Sequence, residues 1–123
     1  MKRNIMRGDI YYTQLYDGIG SEQRGYRPVL IIQNDIGNKY SPTTIAAALT
    51  SRVKSDDHQP THVKLDARFG LSRESLVMLE QIFTIDQRRL EEYVGSVRDK
   101  LTLSMIDKAI AVSFALKEVE ENA

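Results

Sequence analysis

Residues 20–34 read Gly-Ser-Glu-Gln-Arg-Gly-Tyr-Arg-Pro-Val-Leu-Ile-Ile-Gln-Asn, a polar loop that runs directly into the most apolar segment of the chain. Pro28 biases Arg27 toward an extended backbone and lacks an amide donor, which suits the first position of a strand or a sheet edge. Val29 to Ile32 has no polar residue to turn toward water, so this strand is expected to be central and covered on both faces. Gly20 and Gly25 let the preceding loop bend. Arg27 therefore puts a positive charge where a loop meets a core strand. Two readings of it stand side by side: a solvated hairpin arginine, or a guanidinium that handles phosphate.

Upstream, Gly8 to Leu15 carries Ile10, Tyr11 and Tyr12 and stops at the turn signal Asp17-Gly18, so it reads as a first strand. Arg7-Gly8-Asp9 is then the beginning of a strand rather than an adhesion tripeptide. The second strand spans Arg27 to Gln33. Asn34 to Asn38 is expected to form a turn, and Ser41-Pro42 closes that connection. Thr43 to Thr50 contains three alanines but is too short for a typical helix, which predicts a third strand. Its alanines imply close packing. Thr50 stands at its exit, with a hydroxyl that either caps the strand or enters a cleft.

Val53 to Pro60 is charged and short-sided, a surface loop in which Asp56-Asp57-His58 makes a weak metal-ligand set. Thr61 to Leu65 alternates and predicts a strand with one wet face, His62 pointing to solvent. A turn follows around Gly70. Ser75 to Phe83 is the second strongly apolar strand, interrupted by Glu80 and Gln81. That interruption is either a charged edge that discourages aggregation or a functional position. Thr84 to Leu90 suits a turn or one helical turn, and Tyr93 to Val97 a short last strand. From Leu101 to Glu120, Leu103, Ile106, Ile110 and Phe114 recur with helical spacing, with Thr102 or Ser104 as cap. This predicts one amphipathic helix packed on the sheet or across a dimer axis.

At 123 residues, the chain fits one domain, 1–123, with one core. Its 41% hydrophobic and 28% charged residues are ordinary for a globular protein, and no apolar run is long enough to span a bilayer. The basic N-terminus lacks the apolar stretch of a secretory signal and there are no cysteines; a reducing cytoplasm is the expected home, with no membrane partner. Net charge is zero, which argues against a protein that grips nucleic acid over its whole surface. The balance is uneven, however: residues 1–30 hold five basic and three acidic side chains, residues 102–123 two and four. Any nucleic-acid contact is therefore expected near the N-terminal loop.

Most catalytic constellations are missing from the sequence. It has no His-Glu-x-x-His, no Gly-x-Ser-x-Gly, no phosphate-loop lysine and no cysteine nucleophile. RNA, by contrast, carries its own nucleophile in the 2′-hydroxyl, so an enzyme need only align it, neutralise the developing charge and help move two protons.

Gly-Asp-Ile-Tyr at 8–11, Gly-Ser-Glu-Gln at 20–23, Arg-Pro-Val-Leu at 27–30 and Gln-Asn-Asp-Ile-Gly-Asn at 33–38 resemble the MazF/PemK toxin endoribonucleases of type II toxin-antitoxin systems. The likeness continues through Ser41-Pro42-Thr43, Leu49-Thr50, Pro60-Thr61-His62-Val63, Leu79-Glu80-Gln81-Ile82 and Thr84-Ile85-Asp86, over nearly the whole chain. It implies a mainly β fold with α, a small SH3-like antiparallel barrel of the kind MazF shares with the CcdB toxins, with a C-terminal amphipathic helix and normally a homodimer. It implies metal-independent, cofactor-free cleavage of single-stranded RNA, chiefly mRNA, at a short sequence, leaving 2′,3′-cyclic phosphate and 5′-hydroxyl ends. A cognate MazE-like antitoxin would cover the same groove. By the same resemblance Arg27 and Thr50 are the catalytic pair. Ser21, Glu22, Gln23, Asn34 and Gln81 line the substrate groove, Glu22 serving either as proton acceptor or as a contact to a base edge. Tyr26 is left to stack a base or simply to pack. Arg24 stands where many relatives have glycine, which bears on the recognised sequence. Because fold alone does not choose the target, a CcdB-like gyrase-binding toxin without nuclease activity is the alternative, and an RNA-binding module without cleavage a third.

Overall fold

The computed structural model describes residues 4–15 and 24–117. Six strands form one antiparallel sheet in the order β4-β5-β3-β2-β1-β6. They are β1 (Asp9–Leu15), β2 (Gly25–Ile31), β3 (Thr43–Thr50), β4 (His62–Leu65), β5 (Ser75–Asp86) and β6 (Tyr93–Ser96). The continuous apolar run does lie at the centre: β2 pairs with β1 through Val29↔Tyr11 and with β3 through Val29↔Ala48. Val29, Leu30 and Ile31 are buried.

Alternation along these strands sorts the core onto two faces. Ile10, Leu30, Ala47, Leu49, Val77 and Leu79 pack on one side with Ile106 and Ala109, while Tyr11, Val29, Ile31, Ala46, Ala48 and Met78 pack on the other. All three alanines of β3 are fully buried, where a larger side chain would separate neighbouring layers.

The sheet curves into a half-barrel. Ala48 faces Met78, but the next residue, Ala47, faces Ile82, so Leu79, Glu80 and Gln81 are extra residues on β5. Such a bulge bends a strand sharply and lets its first half pair with β4 as well. Between β4 and β6 a single helical turn, Ala67–Phe69, lies against β6. Gly70 takes a left-handed φ of 92° there, and a Cβ on Gly70 or Gly95 would collide with the Val94 or Phe69 carbonyl respectively. Only glycine fits on both sides of this seam.

β2 begins and ends two residues earlier than expected, and β5 runs past Phe83 so that Thr84 to Asp86 are strand rather than turn; the two helices depart further. Asn34 to Asn38 is not a turn but the start of helix α1 (Asp35–Tyr40), with the Asn34 side chain accepting from the Gly37 amide. A capped, acidic first turn favours helix despite weak local propensity. The C-terminal helix α2 runs Lys100–Ser113, and its cap is Asp99 rather than Thr102 or Ser104, with the Asp99 carboxylate accepting from the Thr102 amide at 2.9 Å. Thr102 is buried below that cap. At the other end, Ala115 adopts φ 56°, and the Leu116 and Ala115 amides donate back to Ala111 and Val112. That is a Schellman closure without glycine. It ends the helix before Phe114, so Phe114 and Leu116 lie outside it and are exposed; residues 118–120 of the expected helix lie outside the described residues. No helix among the described residues is long and apolar enough to cross a membrane.

Candidate active site

Arg27 is the third residue of β2, paired with Thr13 of β1. Extending the β2–β3 register by two residues from Val29↔Ala48 sets Arg27 opposite Thr50. Two residues is one strand repeat, so both side chains leave the same face as Val29 and Ala48. On that extension the two residues would face each other across adjacent strands, where β2 begins and β3 ends. Arg27 Nε donates to the Arg24 carbonyl at 3.0 Å. Its two terminal nitrogens meet no acceptor among the described residues. Thr50 is nearly buried, and its Oγ1 accepts from the Arg52 amide at 3.2 Å. The hydroxyl proton of Thr50 remains available to donate.

At the start of β2 opens a cleft of about 240 Å³ that Arg27 lines and Thr50 does not. Tyr12 of β1, Tyr26, Arg27 and Pro28 of β2, Leu49 and Ser51 at the end of β3, and Leu71, Ser72, Arg73 and Ser75 line it, and alternation turns Tyr12, Tyr26, Pro28, Leu49 and Ser51 to the face opposite the Arg27 and Thr50 side chains. Tyr26 stacks on Tyr12 with centroids 5.1 Å apart and planes 14° from parallel. Arg73, Ser72 and Ser51 escaped the reading of the sequence. Arg73 sits in a polar segment that looks like any solvated loop, and nothing local marks it.

Gln81 lies within the β5 bulge beside Glu80. Glu80 does not merely charge an edge: it accepts from Thr61 Oγ1 at 2.9 Å and contacts His62 Nε2 at 2.9 Å. His62 was expected to face solvent, yet its side chain is only 12% exposed. Asp57 binds its Nδ1 at 2.9 Å from the other side. Burial pulls the His62 pKa down, but hydrogen bonds to Glu80 and Asp57 and the two carboxylate charges outweigh it, so the net shift is upward. His62 in turn holds Asp57 below the usual carboxylate range. The correction has a long-range cause: the bulge carries Glu80, and the 54–59 loop carries Asp57, over the face that alternation assigns to water.

Asn34 is not brought to this place. It lies seven residues beyond Arg27 at the opposite end of β2, roughly 20 Å away at about 3.3 Å per extended residue, and its Oδ1 is engaged in capping α1. There it borders a second, more apolar cleft of about 440 Å³ with Ile32, Ile45, Ile110 and Phe114. Ser21, Glu22 and Gln23 lie outside the described residues.

Residues 6–114 match the model of a family described as the PemK-like, MazF-like toxins of type II toxin-antitoxin systems. The chain is 47% identical over 113 residues to Endoribonuclease EndoA of Bacillus subtilis strain 168, covering 91% of this chain and 96% of that protein. Among solved structures it is similar to MazF of Deinococcus radiodurans, with a TM-score of 0.76 at 22% identity over 94% of this chain and all of that one. It is also similar to a mycobacterial endoribonuclease solved in complex with its cognate antitoxin, with a TM-score of 0.73 at 25% identity over 94% of this chain and 99% of that one. A half-barrel with a C-terminal helix, matched by a family model over nearly its whole length and by a curated relative at such identity, belongs to the PemK/MazF family of toxins.

Proposed function

We propose that this protein is a sequence-selective endoribonuclease that cuts single-stranded RNA, mRNA above all, without a metal ion. The observation that supports this reading is the β2–β3 register, whose two-residue extension beyond Val29↔Ala48 would face Arg27 with Thr50, with the terminal nitrogens of Arg27 uncommitted among the described residues. A guanidinium fork matches two phosphate oxygens and holds its charge at any physiological pH. Thr50 donates its hydroxyl proton to a phosphate oxygen.

The ribose 2′-oxygen attacks the phosphorus, its proton passes to an acceptor, and the bond to the 5′-oxygen breaks as that oxygen takes up a proton. The products are a 2′,3′-cyclic phosphate and a 5′-hydroxyl. Arg27 stabilises the extra negative charge on the phosphorane, which is where positioned cations contribute most. Arginine is too weak a base to take the first proton. Glu22, five residues earlier in the chain, is assigned that proton or a base edge, and Ser21, Gln23 and Gln81 the other base contacts. Asn34, occupied at the far end of β2, has no part in this assignment. The working unit is a homodimer in the cytoplasm, held silent by a cognate antitoxin.

Incubating purified protein with single-stranded RNA in EDTA and mapping the ends tests this. Cuts at a short shared sequence with cyclic-phosphate and 5′-hydroxyl termini are expected, abolished in Arg27→Ala and Thr50→Ala proteins that remain folded. RNA left intact, alongside inhibition of gyrase, would instead select the gyrase-binding alternative.

A further inference from the structure

We propose that Asp57, His62 and Glu80 form a latch that pins the 51–60 segment to the sheet and thereby orients the Thr50 hydroxyl, so that His62 and Asp57 are positioning residues for RNA cleavage. This rests on the nuclease reading above and adds to it two side chains that touch no reacting atom.

The register of the sheet places the latch. His62 pairs with Met78, Met78 pairs with Ala48, and Thr50 follows Ala48 by one strand repeat. Directly paired residues share a face of the sheet. His62 therefore stands on the face that carries Thr50, two strands over and roughly 12 Å away at about 4.8 Å per strand and about 3.3 Å per residue. The chain that joins them is the 51–60 segment. At its Thr50 end the Arg52 amide donates to Thr50 Oγ1 at 3.2 Å, which occupies one lone pair and turns the hydroxyl proton elsewhere. The Val53 and Asp57 amides bond within the segment, to the carbonyls of Ser51 and Lys54. At the far end the Asp57 carboxylate meets His62 Nδ1 at 2.9 Å, and His62 Nε2 meets Glu80 of the β5 bulge at 2.9 Å.

The chemistry of the imidazole makes this a conditional tie. An ionised carboxylate only accepts, and a neutral imidazole has a single N–H to give. His62 therefore bridges Asp57 and Glu80 only as the imidazolium, with both nitrogens donating. The net upward shift of the His62 pKa agrees with this. Lys64, one strand repeat along β4, is paired with Glu74 at 4.0 Å, and His58 acts on Asp57 more weakly than His62 does, so neither takes its place. When His62 loses its proton, one side of the bridge goes whichever nitrogen keeps the other. The segment is then no longer tied to β5, and the Arg52 amide that orients Thr50 loses its support.

Single-turnover cleavage of single-stranded RNA across pH tests the latch, with the parent, His62→Gln, Asp57→Asn and the double variant compared at a temperature where all are folded. Ratios between variants cancel the pH dependence of the 2′-hydroxyl itself. At acid pH the parent should be about tenfold faster than either variant, a fraction of the roughly 100-fold that a 1 Å misplacement costs. That ratio should approach unity as pH rises through the midpoint at which the His62 imidazole titrates by NMR. The double variant should be no slower than either single one, because both act through one latch. A merely structural role would lower the thermal transition and leave the ratio flat with pH. Should the parent leave RNA uncut, the nuclease reading fails and the latch is judged by the Arg52 amide resonance, which should titrate with the His62 midpoint and lose that transition in His62→Gln. A ratio constant with pH, or an Arg52 resonance blind to His62, overturns the latch.

Discussion

The two ends of β2 use their polar side chains in opposite ways. Beyond Ile31, Gln33 Nε2 donates to Asn38 Oδ1 and to the Thr43 carbonyl, Asn38 Nδ2 returns a bond to the Gln33 carbonyl, and Thr44 Oγ1 donates to Asn38 Oδ1. Gln87 reaches across from the end of β5 to the carbonyls of Asn38, Ser41 and Thr43. This network is buried and closed upon itself, so it holds the fold. At the Arg27 end the guanidinium is anchored by one nitrogen and the rest is left to meet something else. Saturated polar groups fix structure; unsaturated ones at the same strand's other end are free to do chemistry.

Breaking the open end should give the largest effect. Arg27→Ala is expected to slow single-turnover RNA cleavage by about 10²–10³-fold, the range seen when one preorganised charge-stabilising donor is removed, while the thermal transition barely moves. Breaking the closed end should do the converse. Asn38→Ala strands Gln33, Thr44 and their carbonyl partner in a buried place and should cost about 2–3 kcal/mol of stability by denaturant titration, with cleavage nearly unchanged where the protein is folded.

The His62 latch is an intermediate case and sharpens the contrast through pH. Its folded pKa is raised above the unfolded value, so its stabilising contribution is complete below about pH 6.5 and is lost as pH rises through the higher folded value. His62→Gln should therefore remove about 1 kcal/mol at acid pH and progressively less in alkali. Equal losses at both extremes, measured by urea midpoints, would remove the imidazolium from the account. Smallest of all is Lys64–Glu74, a pair 4.0 Å apart with both side chains at least half exposed. Glu74→Ala should change stability by less than about 0.5 kcal/mol.

The contrast also explains what could be read before any coordinates. Runs such as Val29 to Ile31, the β-rich Ile10 to Tyr12 and the alternation in β4 declare themselves because burial, propensity and period are local properties of the sequence. The α1 helix was hidden because Thr44 and Gln87, which hold its Asn38 in place, lie elsewhere in the chain. The end of α2 was misplaced because Phe114 and Leu116 prolong the apolar pattern while Ala115 turns the backbone without the usual glycine. His62 looked wet because a three-residue bulge and a distant aspartate are invisible to periodicity. At the site, Arg27 could be singled out by the proline after it, but its partner 23 residues away depends on register. Only resemblance to a family named Thr50.

Side-by-side cleavage rates of Arg27→Ala and Asn38→Ala, at saturating single-stranded RNA and a temperature where both are folded, test the central claim most directly. The account predicts a loss of at least about 100-fold for Arg27→Ala and a rate close to the parent for Asn38→Ala. Undiminished cutting by Arg27→Ala, or an equal collapse of both, would contradict it.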